Sequence, residues 1–145
     1  MIFKSHSVND TYGIAKQLLL SADSGTVLAL VGDLGTGKTT FTQGFAKALG
    51  IKTRVGSPTF KLVSEYNGDF HKLYHIDAYR LNGSNEFLNI GGEEYITSKN
   101  SFTLIEWADI IEDILPKKTI KVEFFRSSDN ENKREIKITG IEIEI

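Results

Sequence analysis

The stretch Leu28–Phe45, LALVGDLGTGKTTFTQGF, constrains the fold more than any other part of the chain. The apolar run in GTVLALVG suits a short strand covered on both faces and ending at Gly32. From Lys38 the spacing turns helical, with Phe41, Phe45, Ala48 and Leu49 on one stripe and Gly50 as the stop. A buried strand, a glycine loop and an amphipathic helix in that order predict an α/β fold in which the loop joins strand to helix.

The loop carries chemistry as well as geometry. Gly32-Asp33-Leu34-Gly35-Thr36-Gly37-Lys38-Thr39 fits the G-x-x-x-x-G-K-[ST] phosphate-loop pattern at every position, and Thr40 follows it. Glycines permit positive φ and let backbone N–H groups turn inward as an anion nest, and the positive end of the helix adds to the attraction. In such a loop Lys38 reaches the β and γ phosphate oxygens and the Thr39 hydroxyl ligates Mg²⁺. A chance match in a chain of this length is roughly one in a few hundred from average residue usage. The expected ligand is therefore a nucleotide, ATP or ADP, with Mg²⁺.

The rest of the chain reads as one domain of 145 residues, long enough to bury a core. Asn9–Leu20, NDTYGIAKQLLL, opens on capping residue types and predicts a helix. SPTFKLVSEYN and KLYHIDAYRL predict two strands around a turn at Asn67-Gly68-Asp69. In the second, His75, Asp77 and Tyr79 face one way and Ile76 and Ala78 the other. FTLIEW predicts a buried strand ending in an acid. TIKVEFF and REIKITGIEIEI alternate with period two, which predicts an antiparallel hairpin added at the sheet edge. The fold class expected is an α/β, P-loop NTPase-like sandwich with a mixed sheet and a C-terminal antiparallel hairpin.

Composition narrows the function classes. A net charge of −2 gives no polybasic surface, so strong direct binding to tRNA is not expected. Without cysteine there is no disulfide and no thiolate nucleophile. The N-terminus has no apolar signal region, and no apolar run approaches the ~18 residues that span a bilayer, so no membrane association and a cytoplasmic location are expected.

A phosphate-loop NTPase needs a carboxylate near its metal, usually at the end of a buried strand. Two acids qualify: Glu106 after Leu104-Ile105, and Asp77 on the polar face of its strand. For either, the alternative is a solvated acid at a strand end. Thr59 in SPTF is a candidate γ-phosphate sensor, or simply part of a turn. Trp107 is either a nucleotide neighbour or a packing residue. His75 reads as a hydrogen-bonding strand residue, since no second histidine stands at metal-ligand spacing. Arg80 is a candidate phosphate contact or a salt-bridge partner.

The fragments GDLGTGKTTF, SPTF, LVSEY, YHIDAYRL, GGEEY and LIEWAD stand in the order and spacing of the TsaE family, also called YjeE, and the chain resembles that family from about Ser7 to Pro116. HIDAYRL followed by IEW is more specific than the phosphate loop, which many NTPases share. The resemblance implies a bacterial ATPase supporting threonylcarbamoyladenosine formation at position 37 of tRNA. It would act on a complex of TsaB and TsaD and would not transfer the group itself. It further implies Lys38 and Thr39 as phosphate and Mg²⁺ residues, Glu106 as the metal acid and Asp77 as an acid needed for hydrolysis. Thr59 becomes switch-like, and Trp107 lies beside the site. Residues Ser7–Thr11, with Val8 and Thr11, lie near the adenine, and Arg134 matches a basic residue close to the nucleotide. Thr36 in place of a frequent alanine and Gly92 in a GIEEY-like segment are departures that remove no ligating group. Two other classes stay open on the residues alone: a small-molecule kinase, which would need lid arginines, and a nucleotide-dependent binding module without useful hydrolysis.

Overall fold

The computed structural model describes residues 1–33, 35–56, 62–127 and 133–143. Its centre is a seven-stranded mixed sheet of order β1-β7-β6-β2-β5-β4-β3. The strands are β1 (Ile2–Ser5), β2 (Val27–Val31), β3 (Val63–Asn67), β4 (Lys72–Asp77), β5 (Ser101–Glu106), β6 (Ile120–Arg126) and β7 (Arg134–Thr139). β6, β2, β5 and β4 run parallel, while β3 and the pair β7 and β1 add antiparallel edges.

Side-chain alternation along the central strands feeds two separate cores. Leu28, Leu30, Leu73, Phe102 and Leu104 pack under α1 (Val8–Ser21) and α2 (Lys38–Ala48). Val27, Ala29, Ile76 and Ile105 face the opposite way, with Phe87 of α3 (Ser84–Asn89), Ile96 of α4 (Glu93–Thr97) and Ile111 of a 3₁₀ segment, Ala108–Ile114. Strands covered on both faces have no solvated side to show, which is why β2 is a continuous apolar run and β5 is buried at every residue.

The C-terminal hairpin differs in place from the expectation. β6 does not lie at the sheet edge; it pairs in parallel with β2, and β1 takes the outer position against β7. Its inward residues Ile120, Val122 and Phe124 are buried, whereas Lys121 and Glu123 between them are half-buried. Helices cover only one face of this half of the sheet, so an internal strand keeps the period-two pattern of an edge.

The helices start and stop for local reasons. Ser7, two residues ahead of the expected start, caps α1: its Oγ accepts from the Asp10 amide at 3.0 Å, and Asp10 Oδ2 accepts from the His6 amide at 2.9 Å. α2 ends in a Schellman arrangement, with Gly50 at φ +85° and the Ile51 and Gly50 amides donating to the Ala46 and Lys47 carbonyls, both at 3.1 Å. Fully buried Phe41 meets Phe124 of β6 edge-on at 5.5 Å, and Phe45 meets Phe102 of β5 at 5.6 Å. Each such ring contributes about 1.5–3 kcal/mol by burial, and together they pin α2 across the strands whose ends carry the site. β4 ends at Asp77, earlier than expected: the Ala78 amide makes the last ladder bond, to the Glu106 carbonyl at 3.0 Å, and the neighbouring β5 turns away at Trp107, φ +58°. Among the described residues no helix is long and apolar enough to cross a membrane.

Candidate functional site

The glycine loop leaves the C-terminal end of β2 and enters α2, as expected. Gly35 (φ +76°) and Gly37 (φ +106°, the residue before α2) take the left-handed conformations that the loop requires. The loop lies against β6: a Cβ on Gly32 would come within 2.9 Å of the Phe124 carbonyl oxygen. The Arg126 guanidinium, at the end of β6, donates through Nε and Nη2 to the Gly35 carbonyl, both at 3.2 Å. Within the loop, the Thr36 amide and hydroxyl both donate to the Asp33 carbonyl, at 3.3 and 2.6 Å.

Lys38 opens α2 and is almost wholly buried. Its ammonium donates to the Gly32 carbonyl and sits 4.0 Å from the centre of the Trp107 ring. Burial pulls its pKa below the usual lysine range, opposed by the negative charges of Glu106, Asp77, Asp33 and Asp109 in that order. Trp107 is held at φ +58°, the sole positive φ of a non-glycine among the described residues, and its ring lies 5.0 Å from that of Tyr79. A strained backbone at a strand end, aiming an indole at the loop lysine, is the kind of outlier that collects at functional sites.

The two candidate acids stand side by side. Asp77 and Glu106 are register partners at the ends of parallel β4 and β5. Glu106 is buried, and its Oε2 lies 2.7 Å from Nε2 of His75, which is itself fully buried. Asp77 Oδ1 accepts from the Tyr79 amide at 3.0 Å. Burial holds the Asp77 carboxyl above the ordinary carboxylate range; the Tyr79 hydrogen bond opposes this, the Glu106 charge adds to it, and His75 and Lys38 oppose it. The parallel sheet thus delivers an ammonium and two carboxylates to one end, each kept from full solvation. Ligands of open parallel sheets bind at this end.

Thr39 and Thr40 follow Lys38 in the first turn of α2, both half-buried. A threonine hydroxyl and carboxylates are oxygen donors suited to a hard divalent cation. Among the described residues no three His, Cys, Asp or Glu side chains converge as a metal cage.

On the far side, Val8 is exposed at the start of α1, and Thr11 is buried with its hydroxyl 2.6 Å from that of Ser5. Ser5 is the register partner of Arg134, and Arg134 that of Arg126. One row across β1, β7 and β6 therefore runs from the start of α1 to the guanidinium that holds the loop. Arg80 is exposed in the turn after β4. Leu34 and Thr59 lie outside the described residues. Sequence reasoning missed Arg126 and the His75–Glu106 pair. Arg126 ends a strand parallel to β2, so only knowledge of that pairing would have placed it at the loop.

Comparison with known proteins gives this geometry a family. A family model described as "Threonylcarbamoyl adenosine biosynthesis protein TsaE" matches residues 5–136, reaching through β6 into β7 and so further than the resemblance in the motifs. The chain is 44% identical over 132 residues to the tRNA threonylcarbamoyladenosine biosynthesis protein TsaE of Bacillus subtilis, covering 91% of this chain and 80% of that one. It is 37% identical over 117 residues to the protein of the same name from Borreliella burgdorferi, covering 81% and 85%. The crystal structure of YdiB from Bacillus subtilis superposes with a TM-score of 0.77 at 39% identity, covering 94% of this chain and 82% of that one. The motifs, the seven-stranded sheet and these matches agree, and the chain belongs to the TsaE family of threonylcarbamoyl adenosine biosynthesis proteins.

Proposed function

We propose that the chain is an ATP hydrolase serving threonylcarbamoyladenosine modification of tRNA, and that its turnover acts on a complex of TsaB and TsaD. The observation carrying this reading is the convergence of Lys38, Asp77 and Glu106 at the end of the parallel sheet that bears the phosphate loop.

The backbone of Asp33–Lys38 cradles the phosphates, and Lys38 leaves the Gly32 carbonyl to neutralise the β and γ oxygens. Thr39 and Glu106 would hold Mg²⁺, which when bound would supply positive charge against the transferring phosphoryl group. Asp77, whose carboxyl is held above the ordinary range, accepts or orients the proton of the attacking water. Trp107 flanks the nucleotide beside Lys38. Val8, Thr11 and Arg134 form the adenine side, and Thr59 responds to the γ-phosphate. The net charge of −2 supports a protein partner over direct tRNA binding. The family's role in tRNA modification supports TsaB and TsaD as that partner.

The test separates binding from turnover. Lys38→Ala should abolish ATP binding, followed by Trp107 fluorescence. Asp77→Ala should still bind and lose turnover by about a hundredfold or more, measured as phosphate release with TsaB and TsaD present. Steady-state turnover at the unsubstituted rate from Asp77→Ala would overturn the assignment of Asp77.

A further inference from the structure

The buried histidine beside Glu106 has no role in the reading above. His75 lies on β4 two residues before Asp77, on the same face, and its ring reaches diagonally forward to the carboxylate of β5 at 2.7 Å. His75 is fully buried and Glu106 is 4% exposed. Its other ring nitrogen, Nδ1, is buried with no partner among the described residues. A histidine kept for packing alone would be expected to satisfy both nitrogens or to be replaced by an apolar side chain, because an unpaired buried polar atom costs about 1–3 kcal/mol. Among the described residues the ring makes one hydrogen bond, to Glu106. With no acceptor for Nδ1 among the described residues, the Nε2 proton is the one donated to the carboxylate.

The second neighbour competing for Glu106 is Lys38, for which Glu106 is the strongest of the surrounding negative charges. A carboxylate turned toward that ammonium would have less charge to offer a cation. An Nε2–H donor at Oε2 orients the carboxylate and leaves its other oxygen for a cation. This matches the observed arrangement, in which Lys38 rests on the Gly32 carbonyl and the Trp107 ring.

We propose that His75 is a positioning residue for the metal-holding carboxylate: its Nε2–H fixes Glu106 toward the cation. The proposal rests on the Mg²⁺-dependent ATPase reading. It assigns to His75 an effect on Mg²⁺ affinity, and not on the nucleotide itself.

The experiment titrates ADP into the full chain by Trp107 fluorescence, first in EDTA and then over a range of Mg²⁺. Thermal unfolding is recorded for each variant. His75→Asn, whose amide falls short of Glu106, should raise the half-saturating Mg²⁺ about tenfold or more and leave ADP affinity in EDTA unchanged. His75→Gln, whose amide nitrogen can stand where Nε2 stands, should restore Mg²⁺ affinity to within about threefold. An unchanged Mg²⁺ requirement in His75→Asn would overturn the proposal, as would equal losses in both variants. Should His75→Asn fail to fold, ¹⁵N NMR of the unsubstituted chain decides: a ring protonated on Nδ1 overturns the proposal, and an Nε2–H ring with and without Mg²⁺ and ADP supports it. Failure of the unsubstituted chain to bind ADP at any Mg²⁺ concentration would strike the ATPase reading itself. Mg²⁺-supported binding with no shift in His75→Asn strikes only the role of His75.

Discussion

Replacing glycine by alanine should have opposite effects at two helical positions of this chain. Gly13 is an exposed residue in the body of α1, and a Cβ there would meet nothing within 4 Å. Gly44 lies in α2 where it crosses α1, and a Cβ there would sit 2.8 Å from the Cα of Tyr12 and 2.7 Å from its ring. Neither residue has a positive φ, so helix propensity alone favours alanine at both by about 0.8–1 kcal/mol. At Gly13 nothing opposes that gain. At Gly44 the obstacle is backbone, which cannot rotate away, so α1 must lift from α2. Overpacking of this kind costs about 1–3 kcal/mol, with a rigid obstacle at the upper end, leaving a net loss of about 1–2 kcal/mol. For 145 residues the unfolding entropy is about 0.3 kcal/mol/K, so 1 kcal/mol corresponds to about 3 °C. Gly13→Ala should therefore raise Tm by about 3 °C, and Gly44→Ala should lower it by about 3–6 °C, read by circular dichroism and checked by urea unfolding. Adding Tyr12→Ala should not rescue Gly44→Ala, because the Cα remains. A rise in Tm for Gly44→Ala matching that for Gly13→Ala would refute the close crossing of the two helices.

Two further outcomes test the site and a cap. Because burial holds Asp77 above the ordinary carboxylate range, the folded protein favours the protonated acid. Its contribution is fully present below the unfolded pKa and is lost as pH rises through the raised one. Asp77→Asn, which keeps an acceptor for the Tyr79 amide, should match the unsubstituted chain near about pH 3 and be the more stable at about pH 7. Denaturant midpoints across that range check it, and a constant difference would refute it. Ser7→Ala removes the acceptor for the Asp10 amide and should cost about 1 kcal/mol, or about 3 °C in Tm. Ser7→Gly should cost only a few tenths.

The unit Leu28–Phe45 is legible because three signals coincide: an apolar run, glycines at positions needing positive φ, and a lysine opening an amphipathic helix. The common face of His75 and Asp77 is legible for a similar reason, since period two survives even where both faces of the strand are buried. What lies outside reach is pairing. Nothing in IFKS marks β1 as a strand, for it has one buried residue, Ser5, and owes its place to Arg134–Lys137 of β7. β6 reads as an edge because one of its faces lacks a helix. Arg126 was assigned no role for the same reason, its neighbour at the loop being set by the register of β6 on β2. Ala48 also differs: it shares the stripe of Phe41 and Phe45 but is half-buried, and Ala46 is buried instead.

The strand order has a consequence for how the protein forms during synthesis. β2 is complete early in the chain, yet one of its partners is β6, roughly ninety residues downstream, a separation that makes pairing slow to nucleate. Until β6 arrives, the glycine loop lacks the Phe124 carbonyl and the Arg126 guanidinium that bound it on one side. A nascent chain halted before β6 would therefore display the whole loop motif without the walls that shape it, and nucleotide would not rescue it from proteolysis. Competence for phosphate arrives late, when one of the last strands docks beside one of the first.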